Sequence, residues 1–182
     1  MRKNPVRELT LAAMLGAVYA VLTMVLPIPQ YAGVQIRLAE ALTVLPFLFP
    51  AATPGLFVGC LIANLLSPYG LLDVAAGSAA TLIACLWTQR LKNRWLAPLP
   101  AVICNAVIVG AVVAFAQTGV GPAFWPAYVL NAASVGLGEL IASYILGSIL
   151  LSELTKIPTF RAMIPAERLK LVEERRNVEF QV

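Results

Sequence analysis

The stretch QIRLAEALTVLP, residues 35–46, decides how this chain is read. It opens an apolar segment yet carries Arg37 and Glu40 three residues apart. On a helix that spacing puts both charges on one face. A charge inside a lipid-spanning segment costs roughly 2.5–3.5 kcal/mol on insertion scales. It persists only where it meets protein, water or a ligand. The pattern predicts one wall of a binding pocket, which the rest of the chain completes.

The surrounding composition sets the class. Of 182 residues, 60% are hydrophobic and 12% charged, against about 25% charged in a soluble domain. Mean hydropathy is +0.84. A soluble core of this size cannot hide that much apolar surface, so a multi-pass membrane protein is expected. One membrane domain, residues 1–157, uses nearly the whole chain and leaves no room for a soluble catalytic domain. A polar tail follows over residues 158–182, with the charged run LKLVEERR (169–176) read as a solvated or interfacial helix of no assigned function. The first apolar run is long and lacks a small-residue cleavage site, so it is not read as a cleavable signal.

Six apolar runs are expected as helices, at residues 8–26, 36–50, 54–67, 71–89, 98–117 and 124–155. The second and third reach only about 21–23 Å as α-helices, short of the roughly 30 Å hydrocarbon core. Pro46, Pro50 and Pro54 punctuate them. Short proline-broken segments point to a transport site, with a re-entrant hairpin as the competing shape. Pro27 and Pro29 end the first run. Basic residues orient the bundle. Arg2, Lys3 and Arg7, then Arg90, Lys92 and Arg94, then six more beyond residue 155 all fall on one side of a six-span topology. Only Arg37 is left for the other side. By the positive-inside rule both termini are cytoplasmic. The expected fold is therefore an all-α integral membrane protein of six transmembrane helices.

In that topology the polar residues inside the spans gather in the outer half. Arg37 and Glu40 lie in the second helix, Asn64 in the third, Asp73 at the start of the fourth, and Asn105 and Asn131 within the fifth and sixth. Glu139 is mid-membrane in the sixth. One cation faces three carboxylates. A buried carboxylate must be paired, protonated or coordinating something, so the surplus predicts a pocket for a cationic or donor-rich small molecule. Each residue also has a plainer reading. Asp73 suits a helix N-cap, Arg37 and Glu40 a structural ion pair, and Glu139 and the asparagines interhelical hydrogen bonds. Trp125 and Tyr128 read as an interfacial aromatic belt or as stacking partners for a planar ligand. Ala13 and Ala17, beside Ala12, Gly16 and Ala20, form a small-residue stripe on the first helix. It fits close packing within the chain or against a partner helix.

Absences narrow the function. There is no histidine, no Gly-rich phosphate loop ending in GK[ST], no HExxH and no metal cluster. Only one aspartate lies in a span, which leaves no intramembrane aspartate dyad. Cys60, Cys85 and Cys104 lack CxxC spacing and read as buried small hydrophobes. No enzyme, cofactor or metal is expected.

At these residues the chain resembles the QueT family, the substrate-specificity (S) components of energy-coupling factor (ECF) transporters for queuosine precursors. The resemblance is carried by QIRLAEALTVLP (35–46), PGLFVGCLIANLL (54–66), LLDVAAGSAATL (71–82), NAVIVG (105–110) and VGLGELIASYILG (135–147). It covers roughly residues 5–157, in order, and leaves the tail outside. It implies an S-component-like six-helix bundle in a prokaryotic plasma membrane. Such a bundle binds one vitamin-like ligand near its outer face. It docks through an AxxxA-type surface, matched by Ala13 and Ala17, onto a transmembrane coupling subunit with two ATPases. The implied ligand is a 7-deazaguanine such as the 7-aminomethyl form. Its guanine edge and ammonium group are to be met by Glu40, Asp73 and Glu139. Asn64 and Asn105 would serve ring edges and Arg37 would orient Glu40. A stand-alone secondary transporter and a non-transporting scaffold are the rival readings.

Overall fold

The computed structural model describes residues 5–25 and 37–179, with side chains to residue 172. Arg2, Lys3, Pro27, Pro29, Gln35 and Ile36, on which some expectations rest, lie outside the described residues. Among the described residues eight helices follow in order: α1 (Pro5–Val25), α2 (Leu38–Phe47), α3 (Ala52–Asn64), α4 (Asp73–Thr88), α5 (Arg94–Thr118), α6 (Phe124–Lys156), α7 (Pro158–Arg161) and α8 (Ala166–Glu179). No strand occurs among the described residues. Helices α1, α5 and α6 are each long and apolar enough to cross a membrane, while α2, α3 and α4 are shorter apolar helices.

The first correction concerns α2. It is a 3₁₀ helix, and Arg37 stands before it in extended backbone, φ −101° and ψ 103°. The two charges of the opening stretch therefore do not share a helical face. Arg37 and Glu40 diverge to different partners. A 3₁₀ helix rises about 2.0 Å per residue against 1.5 Å for an α-helix. Ten residues thus extend about 20 Å, so the tighter coil lengthens a short segment. Nine of its ten residues are buried. The element is a central pillar wrapped by the others.

Helix α1 lies on α3 almost backbone to backbone. A Cβ on Gly55 would sit 1.9 Å from the Ala12 carbonyl oxygen, and one on Gly59 would sit 2.3 Å from that of Gly16. The buried face of α1 includes Ala12, Gly16, Tyr19 and Ala20. Ala13 and Ala17 point the other way and are exposed, beside exposed Met14, Val18 and Val21. The stripe read from sequence thus splits. Its Ala12–Gly16–Ala20 edge makes the contact within the chain, while Ala13 and Ala17 stay outward.

Three helices widen locally into i→i+5 turns, at Asp73–Gly77 in α4, Asn105–Val109 in α5 and Leu140–Gly147 in α6. Such turns re-aim side chains and cluster at functional sites. Each one starts at, or directly follows, a polar residue singled out from the sequence.

The tail folds back onto the bundle. Ile164 and Val172 are buried in one core cluster with Phe47, Leu48 and Leu151. Arg168 donates to the carbonyl oxygens of Leu91, at 3.0 Å, and Gln89, which follow the end of α4 and need donors. The part of the segment with described side chains packs Ile164 and Val172 on the bundle and leaves Glu167 and Lys170 exposed, where a solvated or interfacial helix was expected.

Candidate substrate-binding site

All six polar residues proposed from the sequence are buried, none more than 7% exposed. The structure sorts them into two adjoining groups.

The first group is a latch between the start of α2, the end of α3 and the start of α4. The Arg37 guanidinium donates from Nη2 to Asp73 Oδ2 at 3.3 Å and from Nη1 to Asn64 Oδ1 at 3.2 Å. The Ser67 hydroxyl donates to the same Asp73 oxygen at 2.6 Å. The Asn64 amide donates to the Asp73 carbonyl at 3.2 Å and to Ser78 Oγ at 3.4 Å. Asp73 thus binds side chains and is not the N-cap its sequence position suggests. Its Oδ1 is buried without a hydrogen-bond partner. Gly77 is needed here, because a Cβ would lie 2.6 Å from that oxygen and 2.9 Å from Asn64 Nδ2.

The second group is acidic. Glu40 Oε1 accepts from the buried Tyr19 hydroxyl of α1, and Glu40 Oε2 has no hydrogen-bond partner. Glu139 accepts from Asn105 Nδ2 at 2.8 Å and from Ser143 Oγ at 3.2 Å. The same Ser143 hydroxyl donates to the Glu40 backbone carbonyl at 3.3 Å, joining α2 to α6, and the Glu40 and Glu139 carboxylates are near enough to interact electrostatically. Arg37 joins the groups. With Asn105, Glu139, Val109 and Val135 it lines a cavity of about 10 Å³.

Two expectations change here. Arg37 is bonded to Asp73 and Asn64, where an orienting role toward Glu40 was expected. The pocket is also small: about 10 Å³ is roughly one water's space, far below the ~300 Å³ of a small-molecule site. A drug-sized ligand needs more room than these residues leave. A larger cavity, about 300 Å³, lies among α2, α5, α6 and α8, between Phe47, Trp95, Ile149, Leu151 and Val172. Its walls are mainly apolar, and Glu153 there accepts from Lys156 at 2.6 Å. We place the candidate site at the acidic group, where buried acceptors await donors.

Sequence reasoning missed Tyr19, Ser67 and Ser143. Ser143 was findable, being four residues after Glu139 and so on its helical face. Tyr19 and Ser67 meet their partners only through the fold. Asn131 is apart from the site and donates to Gln117 Oε1 at 2.8 Å. Trp125 and Tyr128 pack around Phe124 at the start of α6, at 5.4–6.2 Å between centroids, and do not line the cavity. Cys60, Cys85 and Cys104 are buried free thiols. Among the described residues no group of His, Cys, Asp and Glu is suited to a metal ion.

Apolar helices enclosing a buried ionisable centre define a membrane protein with a functional centre inside its bundle. A family model described as QueT transporter matches residues 9–156. The chain belongs to the QueT transporter family, which is a family of transport proteins and not of enzymes. No curated protein and no solved structure matches it.

Proposed function

We propose that the chain is the substrate-specificity subunit of an ATP-driven ECF importer for a queuosine precursor, 7-aminomethyl-7-deazaguanine or a close relative. It spans the plasma membrane six times with both termini cytoplasmic. The observation that carries the reading is the acidic group of Glu40 and Glu139, buried beside Asn105 and Arg37 within a QueT-family fold. A ligand with a cationic arm and several N–H donors suits buried carboxylates, since charge-assisted hydrogen bonds contribute roughly 1.5–3 kcal/mol each. The unpartnered oxygens of Glu40 and Asp73 are acceptors such a ligand would satisfy.

The subunit captures its ligand from the outer side as the helices part, then closes over it. Ala13 and Ala17, facing outward on α1, receive the coupling subunit, which carries two ATPases. The six-span topology is supported by basic residues on one side and by α2, where a stretched 3₁₀ coil gives a short segment reach. The rival reading keeps the substrate and dispenses with the ATPases.

Binding of labelled 7-aminomethyl-7-deazaguanine to purified protein tests the site. Glu40→Gln and Glu139→Gln are each expected to weaken it by about 10- to 150-fold, the equivalent of one charge-assisted bond. Unchanged affinity in both variants refutes the acidic site. Uptake into liposomes holding this chain alone, without ATPases, refutes the ECF assignment.

A further inference from the structure

We propose that Tyr19 is a positioning residue that makes the seating of α1 depend on what Glu40 holds. The inference rests on the Glu40 site proposed above and adds a route out of it. Tyr19 is fully buried, and its hydroxyl donates to Glu40 Oε1. The other oxygen of that carboxylate is buried with no hydrogen-bond partner. Glu40 is therefore half engaged by the protein and half available.

A carboxylate that turns both oxygens towards a donor-rich ligand swings Oε1 away from its present place against the Tyr19 hydroxyl. A buried hydroxyl without an acceptor is unfavourable. Tyr19 then either moves with the carboxylate or finds another partner, and in both cases strain falls on α1. The interface beneath α1 permits such a shift. Where α1 crosses α3, the small residues Ala12, Gly16, Gly55 and Gly59 make the closest approach, so backbone meets backbone there. Residues 17 and 19 are about 200° apart around a helix, so the ring that reports on Glu40 lies opposite the exposed Ala17. A movement of Tyr19 is thereby delivered to the outward face of the same helix. Nothing in the sequence joins Tyr19 to Glu40, which are 21 positions apart.

The test uses the full chain in nanodiscs with 7-aminomethyl-7-deazaguanine as probe. It reads amide hydrogen exchange along α1 with and without the probe, beside the probe's Kd. In the unsubstituted protein, probe binding is expected to change exchange in residues 12–23 several-fold. Tyr19→Phe keeps the ring and removes the donor. It is expected to bind the probe within about tenfold of the parent Kd, while the α1 response drops below twofold. Glu40→Gln has one acceptor oxygen and cannot turn two towards the ligand, so, saturated with probe, it is expected to show an α1 response below twofold.

An α1 response in Tyr19→Phe equal to the parent's overturns the inference. So does a loss of binding beyond 100-fold in that variant, which makes Tyr19 a ligand contact. A response equal to the parent's in probe-saturated Glu40→Gln overturns it independently, should Tyr19→Phe not fold. Failure of the unsubstituted protein to bind the probe is a different result: it removes the Glu40 site itself and the inference with it.

Discussion

Replacing Arg37 by Met tests the latch quantitatively. Asp73 is fully buried, Arg37 is 7% exposed, and their charged atoms are 3.3 Å apart. Removing the guanidinium leaves the Asp73 carboxylate with Ser67 as its hydrogen-bond donor, because its Oδ1 has none. Asn64 Oδ1 loses a donor as well. Breaking a buried pair from one side costs about 3–5 kcal/mol, dominated by the stranded charge. Distance is a poor guide to this magnitude. Lys156 and Glu153 are closer, at 2.6 Å, yet their side chains are 65% and 57% exposed, and such a surface pair contributes about 0–1 kcal/mol. Burial decides the difference. At about 2–4 °C per kcal/mol for a chain of this length, Arg37→Met lowers the melting temperature of ligand-free protein by roughly 6–20 °C. Lys156→Ala in the same assay changes it by less than about 4 °C. Adding Asp73→Asn to Arg37→Met removes the stranded charge, while the amide oxygen still accepts from Ser67. Most of the lost stability then returns, with a coupling of about 2–3 kcal/mol in the double-mutant cycle. Thermal unfolding in detergent, followed by tryptophan fluorescence, measures the parent, Arg37→Met, Asp73→Asn, the double variant and Lys156→Ala. If the double variant is no more stable than Arg37→Met, the two charges are not coupled and the latch reading fails.

Gly55→Ala drives a methyl group to 1.9 Å from the Ala12 carbonyl oxygen, so backbone must move. A loss of at least 1–3 kcal/mol is expected by thermal unfolding, and an unchanged melting temperature would mean α1 does not rest on α3 as described. Arg168→Ala removes both donors to Gln89 and Leu91. Faster limited proteolysis between α6 and α8 is the expected outcome, with ligand affinity unaltered because the acidic group lies elsewhere. Resistance equal to the parent's would show that Ile164 and Val172 suffice to hold the tail.

How much was legible in advance can be argued residue by residue. The polar residues inside apolar runs were readable because a charge in lipid is expensive anywhere in the chain. Arg37, Glu40, Asn64, Asp73, Asn105 and Glu139 are all buried on that ground. Their partners were not readable. Periodicity assumes an α-helix, and α2 is a 3₁₀ coil that begins only after Arg37, so a face shared on paper came apart. The wider turns at Asp73, Asn105 and Leu140 likewise have no signature in hydrophobic pattern. Asp73 illustrates the consequence. Its position after a turn favours an N-cap, but Arg37 and Ser67 reach it first.

Sequence by itself determined the class of the molecule, its helical composition and which residues had to be shielded, since all three follow from transfer energies summed along the chain. Tertiary structure alone decided how those residues divide into a paired latch and a half-satisfied acidic group. It also decided that Tyr19 belongs with Glu40, and that Ala13 and Ala17 stay outward while Ala12 and Gly16 pack. Those outcomes depend on the depth and rotation at which separate helices meet. Small residues such as Gly16, Gly55 and Gly59 set that meeting by letting backbones touch, a property of pairs of segments that no single segment carries.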